Sequence, residues 1–133
     1  MTLNPSMLLM IAIGGALGAL ARYFTQHLVA MITGIEFPWG TLLANVLGCL
    51  IIGILSGYWM NHDFHMSEQV RGLVVIGVVG AFTTFSAFSL DTLVLYQNGE
   101  LLKASVNVLL NVVVCLAAVA IGHWLVRGSA SMS

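Results

Sequence analysis

The chain is 133 residues long, 59% hydrophobic and only 7% charged, with a mean hydropathy of +1.02, which leaves too little polar surface to coat a water-soluble domain. Its formal net charge is −1, and its four Lys and Arg residues are scattered, so it lacks the basic patch needed to neutralise nucleic-acid phosphates and no nucleic-acid partner is expected. A lipid bilayer is the expected solvent.

A helix crosses a hydrocarbon core of about 30 Å with roughly 20 mainly apolar residues. Four stretches qualify, at about 7–32, 40–60, 70–95 and 101–126, so the expected fold is an all-α integral membrane protein, a single four-helix domain over 1–133. The opening Met1-Thr2-Leu3-Asn4-Pro5 has no basic n-region, and the apolar run after it is longer than a signal h-region, so a retained first span is expected. Turn-type and polar residues mark the three breaks: Thr33-Gly34-Ile35-Glu36-Phe37-Pro38, then Asn61 to Glu68, then Tyr96-Gln97-Asn98-Gly99-Glu100. Arg71 and Arg127 fall towards one side of the membrane, Lys103 and Arg22 towards the other, so the charge bias that sets orientation is close to zero. Such a chain can insert both ways and pair as an antiparallel, dual-topology homodimer, which also gives more helical wall around a polar path than four short helices do.

In the first span, Gly14 and Gly18 lie four residues apart and continue on one face to Arg22 and Gln26, so a close helix contact runs into a polar stripe. A guanidinium in lipid costs at least about 2.5 kcal/mol. Arg22 therefore either snorkels to the nearer surface or stands as a fixed cation that draws anions into a vestibule. The second span sets Thr41, Asn45 and Gly48 on one face, with Gly53 and Gly57 as a second small-residue pair. Asn45 reads either as interhelical glue or as an N–H donor to a passing anion.

The third span carries Gly77-Val78-Val79-Gly80-Ala81-Phe82-Thr83-Thr84-Phe85-Ser86-Ala87-Phe88-Ser89-Leu90-Asp91, a concentration of glycine, hydroxyls and aromatics foreign to a simple lipid-facing helix. Glycine and adjacent threonines weaken helix locally, so a break or a kink is expected between Gly80 and Thr84. A break at that depth frees carbonyls able to coordinate a small alkali cation. Phe85 and Phe88 share a face, as packing or as ring edges offered to an anion. Ser86 and Ser89 set hydroxyls beside them, unless bonded back to their own helix. Asp91 is the acidic residue well inside a span, where such a group is paired, protonated or part of a proton path.

In the fourth span, Asn107, Asn111 and Cys115 recur every four residues and suggest a polar track. Cys49 and Cys115 both sit in apolar runs and read as small hydrophobic filler. His27, His62, His65 and His123 lack the spacing of a metal site and read as interfacial polarity.

The segment Gly14-Gly15-Ala16-Leu17-Gly18-Ala19-Leu20-Ala21-Arg22-Tyr23 is similar to the first-helix signature of the Fluc (CrcB) family of fluoride channels. Gly40-Thr41-Leu42-Leu43-Ala44-Asn45-Val46-Leu47-Gly48 resembles that family's second helix, and Gly80-Ala81-Phe82-Thr83-Thr84-Phe85-Ser86-Ala87-Phe88-Ser89 its broken-helix motif. The resemblance implies a passive fluoride channel in the bacterial inner membrane, exporting the ion to limit its toxicity. It further implies an antiparallel homodimer with two pores and a central structural Na⁺ held by the backbone carbonyls of Gly80 and Thr83. By the same carry-over Phe85 and Phe88 line the pores, Asn45, Thr84, Ser86 and Ser89 donate hydrogen bonds, and Arg22 serves the vestibule. The chain departs from the family in carrying Asp91 where Glu is common, and Asn107 and Asn111 where Tyr and Ser are. The shorter Asp91 reaches less far, whereas amides still donate. Neutral donors in a narrow path suit fluoride, a small and strongly accepting anion.

A small multidrug-type exporter is also short, four-helical and of dual topology, but such proteins resemble one another through a carboxylate in the first helix, where this chain has Arg22. A non-transporting scaffold subunit, whose polar stripes bind partner helices, is the other alternative. An enzyme is not expected, since no nucleophile and base share a face.

Overall fold

The computed structural model describes residues 4–61 and 65–130, with 61 and 128–130 as backbone alone; His62, part of the histidine reading above, lies outside the described residues. Helix α1, Pro5–Thr33, starts where the Asn4 side chain accepts the N–H of Ser6 and Pro5 supplies a φ already suited to a first turn. It stops at Gly34, whose φ of 81° reverses the chain while its N–H bonds Ala30 O. Helix α2, Trp39–Asn61, returns across the molecule. The third span begins with α3, Glu68–Arg71, capped by the Ser67 hydroxyl, widens into a π-helical stretch over Gly72–Val79 and closes with α4, Gly80–Phe82. Thr83 and Thr84 are extended, and α5 resumes at Phe85–Gln97. A turn at Gly99, φ 78°, leads to α6, Leu101–Leu109, a second π-helical stretch over Leu110–Val114, and α7, Cys115–Ala130.

Four of these segments are long and apolar enough to cross a membrane: Pro5–Thr33, Trp39–Met60, Glu68–Gln97 and Leu101–Arg127. No strand occurs among the described residues.

Lipid removes the usual driving force for helices to associate, so close backbone approach has to supply contact instead. A Cβ built at Gly14 would overlap the Leu73 carbonyl oxygen and one at Gly18 the Val78 carbonyl oxygen, so α1 lies directly on the backbone of the third span. Gly53 meets Val119 in the same way, and Gly122 meets Leu50 and Ile54, which seats α2 on α7. The outside is apolar: Leu9, Leu17, Leu28, Ile51, Leu116 and Leu125 are exposed, whereas Thr41, Asn45, Thr84, Asn107 and Asn111 are buried. That inversion of the soluble pattern is what a hydrocarbon solvent selects.

Candidate functional site

The site is built around the two extended residues of the third span. Thr83 has φ −78° and ψ 155°, Thr84 φ −153° and ψ 112°, so two peptide groups leave the helical ladder and must bond elsewhere. Asn45 of α2 takes up Thr84: its Oδ1 accepts the Thr84 N–H at 2.7 Å and its Nδ2 donates to Thr84 O at 3.1 Å. Because a peptide N–H can only donate, this pairing also fixes which way the Asn45 amide points. The Thr84 hydroxyl accepts the N–H of Ala87 at 3.0 Å and caps α5. Gly48 completes the seat, since a Cβ there would overlap Cγ2 of Thr83.

These two bonds divert donors. In an unbroken helix the N–H of Thr84 would go to Gly80 O and that of Ala87 to Thr83 O; here they go to Asn45 and to the Thr84 hydroxyl. The Gly80 and Thr83 carbonyls are left without their helical donors, and Gly80 is exposed on the chain's surface. Carbonyl oxygens of this kind are hard ligands suited to an alkali cation, though two cannot complete a coordination shell.

From Asn45 an amide relay runs through the interior. Nδ2 of Asn45 also donates to Asn111 Oδ1 at 3.0 Å; Asn111 Nδ2 donates to Asn107 O and Oδ1 at 3.0 and 3.1 Å; Asn107 Nδ2 donates to the Thr92 hydroxyl at 2.9 Å, which donates to Phe88 O at 2.8 Å. Asn107 is completely buried and Asn111 nearly so. Thr92, which ends the relay, went unread in the sequence because a lone hydroxyl in a helix ordinarily bonds back to its own backbone.

Phe85 and Phe88 touch edge to face with centroids 5.2 Å apart, yet Phe88 is 7% exposed and Phe85 77%. Two cavities approach this region, and Thr84 lines both. One, of about 360 Å³, is walled by Asn45, Phe85, Phe88, Asn111 and the two cysteines. The other, of about 370 Å³, holds Arg22, Gln26, Thr84 and Ser86. The serines divide: Ser86 Oγ lies 3.3 Å from the Thr84 hydroxyl, while Ser89 donates back to Phe85 O at 2.8 Å and faces a third cavity. Arg22 is half-buried and has no ion-pair partner among the described residues.

A larger vestibule of about 900 Å³ opens where α1 meets α2, lined by Gln26, Glu36, Thr41, Asp91, Glu100 and Lys103 among others. Gln26 Nε2 donates to the Thr41 hydroxyl at 3.1 Å, which donates to Asp91 Oδ2 at 2.7 Å, so the carboxylate is half-buried and held. Asp91 therefore belongs to the vestibule, apart from the aromatic pair. His27 stacks on Tyr23, and His123 Nδ1 lies 3.0 Å from Ser56 Oγ.

Residues 9–123 match the family model described as "CrcB-like protein, Camphor Resistance (CrcB)". The chain is 50% identical over 117 residues to the "Fluoride-specific ion channel FluC" of Methylococcus capsulatus (strain ATCC 33009 / NCIMB 11132 / Bath), covering 88% of this chain and 51% of that protein. It is 44% identical over 119 residues to proteins of the same name from Shewanella baltica (strain OS185) and Shewanella sp. (strain ANA-3), covering 90% of this chain and 94% of each. The chain thus spans about half the length of the Methylococcus relative and nearly all of the Shewanella ones.

Proposed function

The chain belongs to the CrcB family, and on that premise we propose that this multi-pass bacterial membrane protein is a passive, fluoride-selective channel that lets the ion leave the cytoplasm. It is not an enzyme. The observation that carries the reading is the extended Thr83-Thr84 pair, clamped by Asn45 between two cavities, with the Phe85–Phe88 edge-to-face pair beside it. Fluoride is small and a strong acceptor, so hydroxyl and amide donors can replace its water without the trapping that a full positive charge would cause. The Thr84 and Ser86 hydroxyls line one cavity, and Thr84 Oγ1 keeps its O–H proton to donate while accepting from Ala87 N–H. On the other side Asn45 and Asn111 already donate, so an ion there exchanges one hydrogen bond for another rather than satisfying an orphan. Ring edges of Phe85 and Phe88 carry partial positive charge and supply the gap between them. Arg22, with no carboxylate partner among the described residues, raises anion concentration at the mouth. Asp91, tied to Thr41, shapes the vestibule, and Ser89 with Asn107 supports the path from behind.

The functional unit in this reading is an antiparallel, dual-topology homodimer. Two features support it: Gly80 and Phe85 are exposed, and the Gly80 and Thr83 carbonyls do not by themselves complete a coordination shell. A two-fold partner inserted the opposite way brings two more, giving the oxygen set an alkali ion takes, with Na⁺ the expected occupant. There it would tie the two broken helices together as a structural element.

The deciding experiment is fluoride efflux from liposomes holding the purified chain, followed with a fluoride electrode, with chloride as control and Phe85→Ala and Phe88→Ala alongside. Rapid fluoride-selective efflux that both variants lose is the expected result. A well-folded dimer that passes no fluoride would sink the channel reading and favour a scaffold role for the polar stripes.

A further inference from the structure

We propose that Cys49 and Cys115 form one shared site for a soft, two-coordinate divalent cation of the Hg²⁺ class, in the wall of the cavity beside Phe85 and Phe88. α2 and the first residue of α7 bring the two thiols into the wall of the same cavity. Both are free and half-buried. Sulfur is a soft ligand, and thiolates select soft cations over the hard ions that take oxygen. Among the described residues no group of three or more His, Cys, Asp or Glu side chains converges, which excludes the four-ligand shell that zinc takes and leaves two-coordinate chemistry.

Charge selects the divalent ion. Binding breaks two S–H bonds and forms two S–metal bonds, and the two protons leave with the water or hydroxide that the ion sheds, with no change of oxidation state. Two thiolates and one divalent cation are together neutral, whereas a monovalent ion on the same two thiolates would leave a net negative charge in an apolar wall, which costs several kcal/mol in such surroundings. The cavity of about 360 Å³ gives the sulfurs room to separate around the ion. Asn45, Asn111 and both rings line the same space, so an occupant there closes the path; this last consequence rests on the channel reading, whereas binding does not.

The test titrates the purified full chain in detergent with mercuric nitrate in a chloride-free buffered solution, counting ions by calorimetry and following the mercury–thiolate absorption band in the ultraviolet. One ion per chain is expected, with a mercury–thiolate band that saturates at that ratio. Cys49→Ser and Cys115→Ser should each weaken binding by more than about 100-fold, because losing a ligand exceeds the loss of a supporting partner, about 10–100-fold. Two ions on the wild type with one retained at full affinity by each variant would show independent thiols and overturn the site. Alanine variants at both positions, checked by gel filtration against the wild type, separate a folding defect from a lost ligand. In liposomes, wild-type fluoride efflux should stop on loading and return with excess dithiol, while both Ser variants stay open. Continued efflux from loaded wild type overturns the closing role. A chain that conducts no fluoride at all defeats the channel reading, and the ion count still decides the site.

Discussion

The two halves of the third span are held by opposite means. Between Gly72 and Val79 the backbone lies against α1, with Gly14 and Gly18 letting it approach directly at Leu73, Gly77 and Val78. From Thr83 onward the chain is held by hydrogen bonds from α2 and, through Asn111 and Asn107, from the fourth span. In lipid both devices work, but they leave different surfaces behind. Close glycine packing leaves the helical backbone of Gly72–Val79 unbroken. The polar clamp takes the N–H groups of Thr84 and Ala87 out of the helical ladder and leaves the Gly80 and Thr83 carbonyls without their helical donors. The candidate site therefore lies in the half where regular structure is given up, and the glycine half supplies the frame against which that departure is held.

The contrast breaks first at the glycine seam. Gly18→Leu should destabilise the fold by more than about 3 kcal/mol, because the new side chain meets backbone that cannot move aside. Thermal melting in detergent should show it as loss of recoverable folded protein. Wild-type melting would mean that α1 does not pack as described.

Asn45→Ala should cost about 2 kcal/mol, since it strips partners from Thr84 N–H, Thr84 O and Asn111 Oδ1 at once. The same variant should lose fluoride efflux even at temperatures where it stays folded. Retained efflux would separate the clamp from conduction.

Asn107→Leu sharpens the comparison. Asn111 keeps its bond to the backbone carbonyl at 107 and the Thr92 hydroxyl keeps Phe88 O, so the expected loss is about 0.6–1 kcal/mol. A loss as large as that of Asn45→Ala would show that the relay acts as one unit.

The smallest effect belongs outside both halves. Lys103 and Glu100 pair at 3.2 Å in an exposed turn, and Lys103→Ala should shift stability by less than about 0.5 kcal/mol. A larger shift in efflux than in stability would mark the vestibule charge as part of the path.

Much of this was legible in the residues. The four spans follow from apolar length alone, because hydrocarbon thickness fixes how many residues a helix needs. Gly14 and Gly18, four apart, read as a contact face, and Asn107 and Asn111 at the same spacing read as neighbours; both lie as their periodicity places them. Local spacing governs such features, so one strand of text suffices. It also put Phe85 and Phe88 on one face, but it could not tell that one ring is buried and the other bare.

Partner identity across helices was beyond local spacing. Asn45 reads equally as glue or as donor until the fold sets it against Thr84, which lies 39 positions away. Cys49 and Cys115 read as separate fillers until α2 and α7 close on Gly53 and Gly122. Sequence by itself determined the solvent, the number of spans and the faces within each helix, because those depend on composition and on the 3.6-residue period. Only the tertiary structure decided which backbone donors leave the ladder, because a diverted hydrogen bond exists only when its acceptor arrives from another helix.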